Sequence, residues 1–204
     1  MSSALVLAAS TAILRHLLEN GLVERGVTET LGGDVQVTAQ APDRVKAGAE
    51  ERPQLNLFLY HVETRGINPA SRYAPEDAQP GTPLVLELHY LMTAYGAQDF
   101  HTEVLLGCGM ELLHRNPILR NPAVRRILAA ISAPEDGRTV PPPLASLGAS
   151  ALPEQMDELR IWANEMSHEN MANLWSSLQT PYRPTRSYKV TVTLTDGFGG
   201  QQER

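Results

Sequence analysis

The sequence predicts an α+β fold: a single mixed β-sheet of about five strands with about four helices packed against it. Three observations carry this. From Leu84 to Met92 every second residue is apolar (Leu84, Leu86, Leu88, Tyr90, Met92), while Val85, Leu91 and the polar pair Glu87 and His89 occupy the other face. That is the period of a long strand. Val104, Leu105, Cys108 and Leu112 then recur at helical spacing, so a helix folds back onto that strand. Finally, strand-like and helix-like patterns alternate in mixed order along the chain rather than as a run of either kind.

Taken in order, Ser2 or Ser3 is placed to cap a first helix carrying Leu5, Ala9, Ala12, Ile13 and Leu17, ending before Gly21. Val35, Val37 and Ala39 alternate with Gln36 and Thr38 as a short strand, ended by Pro42-Asp43. Leu55, Leu57 and Leu59 follow, with Asn56, Phe58 and Tyr60 between them. Bulk on both faces predicts a strand inside the sheet. Tyr95-Gly96 stops the long strand. Asp99 is placed to accept from the free amides of the next helix, and Glu103 sits in its first turn, where the helix dipole favours negative charge.

Asn121-Pro122 reads as a cap followed by a proline at the first helical position, starting a helix through Val124, Ile127, Leu128 and Ile131. Leu159 and Ile161 mark a brief strand. Ser167 to Leu178 reads as a helix with Met171, Leu174, Trp175 and Leu178 on one face. Tyr188, Val190, Val192 and Leu194 alternate with Lys189, Thr191 and Thr193 in a last, half-exposed strand ended by Asp196-Gly197. Two segments, 62–83 and 133–153, are rich in proline and carry no period; loops of that length are commonly functional or disordered. Strands and helices occur on both sides of each, so residues 1–204 read as a single domain with two long loops.

The 204 residues suffice for a sizeable core. A net charge of −6 argues against nucleic acid as a partner, because phosphate contacts need a basic surface. The single cysteine, Cys108, excludes an internal disulfide and suits a reducing compartment. The opening MSSALVLAAS lacks a basic n-region, and Arg15 and His16 interrupt its apolar run, so neither a signal peptide nor a membrane span is expected. The expectation is a soluble protein made and kept inside the cell.

Few residues invite chemistry. His61, Glu87, His89, His101 and Glu103 have ligand-type side chains, but neither the i, i+4 histidines of a zincin nor paired cysteines are present. Glu87 and His89 are read as a polar strip facing solvent or a subunit partner, and no metal or cofactor is assigned. Gly107 and Gly109 flank Cys108 directly, inside a helix and not at a nucleophile elbow. They are read as a notch for a close packing neighbour, since each costs about 1 kcal/mol against alanine in a helix interior. His114, Arg115, Arg120, Arg125 and Arg126 form one basic group, and Arg183, Arg186 and Lys189 another. Positive charge is favoured at a helix C-terminus, and arginines are also common in protein interfaces. No catalytic constellation is visible.

Two well-separated stretches carry a resemblance. Leu57-Phe58-Leu59-Tyr60-His61-Val62 is followed by Leu86-Glu87-Leu88-His89-Tyr90-Leu91-Met92-Thr93-Ala94-Tyr95-Gly96, Glu103 to Gly107, and Leu113-His114-Arg115-Asn116-Pro117 with Ile118-Leu119. Near the end come Leu174-Trp175-Ser176, Gln179-Thr180-Pro181-Tyr182 and Tyr188. In these the chain resembles the tube-terminating cap proteins, or tail terminators, of phage-tail-like extracellular contractile injection systems, from the first helix to about Thr195. It departs from the family's pattern in having Gly81-Thr82-Pro83 where an Arg-Pro pair is common before the long strand.

The resemblance implies a tail-terminator fold and a non-enzymatic structural subunit. Such a subunit would sit in a hexameric ring on the end of the inner tube distal to the baseplate, halting tube and sheath growth. Its partners would be further copies of itself, the inner tube protein and the sheath protein, with no nucleic acid, membrane or cofactor. It would be cytoplasmic during assembly and then part of a particle that can be released. On this view Tyr60, His89, Tyr90, Tyr95, Gly96, Trp175, Thr180, Pro181 and Tyr182 are motif residues. Trp175 is expected in the core, Gln179 to Tyr182 in a rigid turn aiming the last strand, and the last strand is expected to offer a neighbour its edge. Candidate interface residues are Glu87, His89, Arg115, Arg120, Arg125, Arg126, Arg183, Arg186 and Lys189. The competing functions are a stand-alone protein-interaction adaptor and a metal-dependent enzyme using Glu87 and His89.

Overall fold

A computed structural model describes residues 5–46, 48, 51–65, 84–133, 140–147 and 150–195. Among these, six strands form one sheet: β1 (Gln36–Thr38), β2 (Gln54–Arg65), β3 (Leu84–Tyr95), β4 (Ile118–Arg120), β5 (Met156–Ala163) and β6 (Thr185–Leu194). Their spatial order is β1-β2-β3-β6-β5-β4. β1 runs parallel to β2 and every other pair is antiparallel, so the sheet is mixed. The longer helices are α1 (Val6–Glu24), α3 (His101–Arg115), α4 (Asn121–Ser132) and α7 (His168–Ser177). α2 (Val27–Leu31), α5 (Pro142–Ala145) and α6 (Leu152–Gln155) are one-turn pieces.

The alternation in β3 does what its period requires. Leu86, Leu88, Tyr90, Met92 and Ala94 enter the main core with Leu55 and Leu57 of β2, Val190 and Val192 of β6, and Leu159 of β5. α1, α3 and α4 cover that face with Ile13, Leu14, Leu18, Leu105, Leu113, Val124 and Leu128. Each such side chain removed from water contributes about 1.5–3 kcal/mol. Tyr90 is wholly buried, and its hydroxyl is satisfied at 2.8 Å by Thr11 Oγ1 of α1. The other face of β3 holds a smaller cluster in which Leu91 meets Met171 and Trp175 of α7, with Phe58 and Tyr60 alongside.

Glycines set two of the helix contacts. Gly109 lies where a Cβ would come within 2.9 Å of Met92 Sδ and 3.0 Å of Leu55 Cδ1, so α3 packs directly on β2 and β3 there. Gly107 has nothing within 4 Å of a Cβ, so the notch consists of Gly109 alone. Gly21 does not end α1, which runs on to Glu24. A Cβ on Gly21 would stand 2.2 Å from Leu112 Cδ2, making it the close crossing of α1 on α3.

Several local expectations change. The sheet has six strands rather than about five, because the triplet Ile118–Arg120 pairs with Glu158–Arg160. Val62–Arg65 continues β2 instead of starting a loop; the rest of the first proline-rich segment, 66–83, lies outside the described residues. So do Ser2, Ser3, Asp196 and Gly197. In the second segment Pro142–Ala145 and Leu152–Gln155 are helical turns. Asp99 makes no cap: α3 starts from Phe100, held at φ 67°, and no side chain bonds there. Asn121 does not cap α4 either. Its Nδ2 donates to Pro153 O and Met156 O at 2.9 Å each, fastening α6 and β5. Ser167 does cap α7, accepting from Asn170 N at 3.2 Å.

The largest correction concerns the last strand. β6 lies between β3 and β5 and is paired along both sides, so it has no edge to offer. Its half-exposed pattern arises because Lys189, Thr191 and Thr193 face the polar side of a central strand.

Candidate interface

Among the described residues α7 packs on one end of the second face, and the rest of that face presents side chains from four strands. The ladder registers place side chains there in rows. One row runs His61 (β2), His89 (β3), Lys189 (β6), Trp162 (β5); the next runs Glu63, Glu87, Thr191, Arg160. A bulge between Leu59 and His61 brings His61 and Glu63 onto this face. Both rows exist because β3 continues its alternation with polar residues where α7 no longer covers it.

Ion pairs knit the rows together. Glu87 is buried at 4% exposure, with Arg65 Nε at 2.7 Å and Lys189 Nζ at 3.5 Å from its oxygens. Glu63 Oε1 lies 3.1 Å from His61 Nε2 and 3.6 Å from His89 Nε2. Arg160 pairs with Glu158 on its own strand. Burial holds the His89 imidazole below its ordinary pKa; Glu63 opposes that and His61 reinforces it. The rings of Tyr60 and His61 stand 5.9 and 5.3 Å from that of His89.

The two ends of the sheet differ. β1 pairs only with Gln54–Asn56, so Leu57–Arg65 of β2 has no strand on its outer side among the described residues. At the opposite end Ile118 of β4 and Trp162 of β5 are large apolar side chains left 42% and 49% exposed. Between α1, α4 and α5 lies a groove of about 800 Å³ lined by Leu7, Thr11, Ala12, Ile131, Val140 and Leu144.

The remaining predicted residues fall in several places. Glu87, His89 and Lys189 do come together. Arg115 pairs with Glu111 one turn back at 2.6 Å, Arg125 with Glu154 at 3.4 Å, and Arg120 and Arg126 are exposed on β4 and α4. Arg183 instead makes a two-pronged contact with buried Glu51, at 2.9 Å on each oxygen, and its guanidinium lies 5.4 Å over the Tyr95 ring. The Gly96 amide donates to Glu51 Oε1 at 2.7 Å. A Cβ on Gly96 would come 2.4 Å from His101 Cβ, which explains a glycine at that turn. Burial pushes the Tyr95 hydroxyl up to about 12. Arg186 Nε is buried without a hydrogen-bond partner among the described residues.

Trp175 is 2% exposed, in the small cluster under α7, and Tyr182 packs on it with ring centroids 5.7 Å apart. Thr180 and Pro181 follow Gln179, whose φ of 53° turns the chain away from α7. His101 and Glu103 start α3, away from the rows. Glu63 escaped sequence reading; the signal was the alternation His61, Glu63, Arg65 continuing past the apolar part of β2.

Fold and face together define a sheet-and-helix domain whose second sheet face carries a charged ladder. The model of the Pvc16 N-terminal domain family matches residues 9–203, and the chain belongs to that family. No curated protein sequence matches it. Among solved structures it is similar to the PVC sheath/tube terminator of an extracellular contractile injection system in its extended state. There the identity is 15%, the TM-score 0.42, and the match covers 89% of this chain and 59% of that one. It is also similar to the tube-terminating cap of the anti-feeding prophage, with 15% identity, TM-score 0.47, and 90% and 56% covered. The chain thus spans less than two thirds of the length of either.

Proposed function

We propose that this protein is a structural cap subunit that ends the inner tube and sheath of a contractile injection system at the end distal to the baseplate, as a hexameric ring. The observation that carries the reading is the family match over residues 9–203, nearly the whole chain. The two similar structures are described as a sheath/tube terminator and a tube-terminating cap, which is the same role. Two surfaces of the sheet support the ring. Head-to-tail contacts use two different surfaces that fit each other. The outer side of β2 beyond Asn56, which has no partner strand among the described residues, and the Ile118–Trp162 end lie on opposite ends of one sheet and support the reading as its two surfaces. An added strand pairs through its backbone, so the β2 edge suits a neighbour's chain.

On this reading the protein works by adhesion and shape, as one domain, and makes or breaks no bond. Its partners are its own copies, the tube protein and the sheath protein, and it joins the particle in the cytoplasm. No described helix is long and apolar enough to cross a membrane. Mass photometry of the protein with and without purified tube, followed by electron microscopy, tests it. Rings seated on tube ends are the expected result. Tubes of unchanged length distribution after deletion of the gene would overturn it.

A further inference from the structure

In the β2–β3 register Glu63 lies directly opposite Glu87, and one row away His61 lies opposite His89. Like charges placed directly opposite destabilise an antiparallel pair unless positive groups lie beside them; His61 Nε2 stands 3.1 Å from Glu63 Oε1. Arg65 and Lys189 serve Glu87 from its sides, at 2.7 and 3.5 Å. Among the described residues none of these three bridges Glu63 and Glu87. His89 adds a second, separate fact: its Nε2 is buried and has no hydrogen-bond partner among the described residues, with Glu63 Oε1 standing 3.6 Å off. Buried polar atoms are rarely left so. One ligand atom from each of Glu63, Glu87 and His89 lies within 4.8 Å of the other two.

We propose that Glu63, Glu87 and His89 form a binding site for one zinc-class divalent ion, with a fourth position open beside His61. An imidazole with two carboxylates suits such an ion better than magnesium or calcium, which prefer oxygen alone. Zinc bonds of about 2.0–2.2 Å put tetrahedral ligands about 3.4 Å apart, so the trio closes by roughly an ångström. Glu63, with its side chain 51% exposed, has the freedom to move in. A carboxylate offers about four lone-pair positions, so the contacts of Glu87 with Arg65 and Lys189 leave room for a metal bond. They also orient it, as hydrogen bonds to ligating carboxylates do. The ion ties the outer half of β2, beyond its bulge, to the middle of the sheet. The sequence offers neither zincin-type histidines nor paired cysteines here, and Glu63 joins Glu87 and His89 only through the register of β2 on β3. The site stands independently of the cap reading.

Full-length protein stripped with chelator and titrated with Zn²⁺ by calorimetry tests this. One ion per chain is expected, with an X-ray absorption edge showing nitrogen and oxygen ligands and no sulfur, which separates the site from Cys108. Glu63→Gln and His89→Asn weaken binding at least about tenfold, since even groups that only orient ligands are worth that much. The exposed His114→Asn leaves it unchanged. Zn²⁺ also raises the melting temperature of the wild type but not of Glu63→Gln, a surface change that decides the matter should His89→Asn fold poorly. No stoichiometric binding by the wild type, or binding undiminished in Glu63→Gln, would overturn the site.

Discussion

The two faces of the central sheet share the same strands and are held by different physics. On the core face, residues such as Leu57, Leu88 and Val190 meet three helices and are almost wholly excluded from water. Non-directional burial dominates there. On the other face α7 shelters only Leu91 and its neighbours, and the rows beyond it rely on charge pairs across the ladder. The first face is specified by the kind of residue at each position. The second is specified by which residue lies opposite which, and so by register. Substitutions should therefore cost very different amounts on the two faces, although they are a single residue apart in sequence.

Val192→Pro has the largest expected effect. Val192 pairs with Leu86 on one side and Leu159 on the other, at the centre of the sheet. Proline removes a ladder donor and is confined to edges and bulges. The variant should be insoluble or show no cooperative melt by circular dichroism. Normal melting would remove β6 from the sheet interior, and with it the distinction between the faces.

Leu88→Ala against Thr191→Ala tests that distinction directly. Leu88 is fully buried, and its truncation should cost about 2–5 kcal/mol by urea denaturation. Thr191, beside Glu87 on the open face, should cost about 1 kcal/mol or less. Equal losses would show the second face to be core as well. Gly109→Ala and Gly107→Ala make a finer pair within α3. The first meets Met92 and Leu55 and should lose about 1–3 kcal/mol through overpacking. The second meets nothing and should gain up to about 1 kcal/mol from helix propensity.

The same contrast explains what could be read in the sequence. The β3–turn–α3 unit, α4, α7 and the burial of Trp175 follow from period, a local property, although the caps expected for α3 and α4 are absent. β4 is a three-residue strand, too short to show a period, whereas β1 was legible because the alternation of Val35, Val37 and Ala39 runs past its three paired residues. The end of β2 was hidden because its alternating residues are nearly all polar, so a strand looked like a loop. Alternation in β6 marked one buried face correctly, but it cannot distinguish an edge strand from a central strand whose far face is polar. The cluster of Glu63, Glu87 and His89 needs the bulge and the register, and the contact of Arg183 with Glu51 joins residues 132 positions apart. No local pattern announces either.

That contact gives the smallest predicted effect and the most specific one. Burial alone would raise the Glu51 pKa, but the Gly96 amide and the Arg183 guanidinium outweigh it and hold it below its ordinary value. A carboxyl depressed in the folded state adds stability that is complete above its unfolded pKa, about 4.3. That stability is lost as the pH falls through the lower folded value. Urea denaturation of the wild type at steps from pH 7 to pH 3 should therefore show stability falling below about pH 5 more steeply than in Glu51→Gln. At neutral pH the variant should be less stable by a constant amount, because Arg183 has lost its charged partner. The two curves should converge in acid, where protonation removes the same charge from the wild type. Parallel curves throughout would mean that Glu51 titrates alike folded and unfolded, and that this end of the polar face is not held by charge.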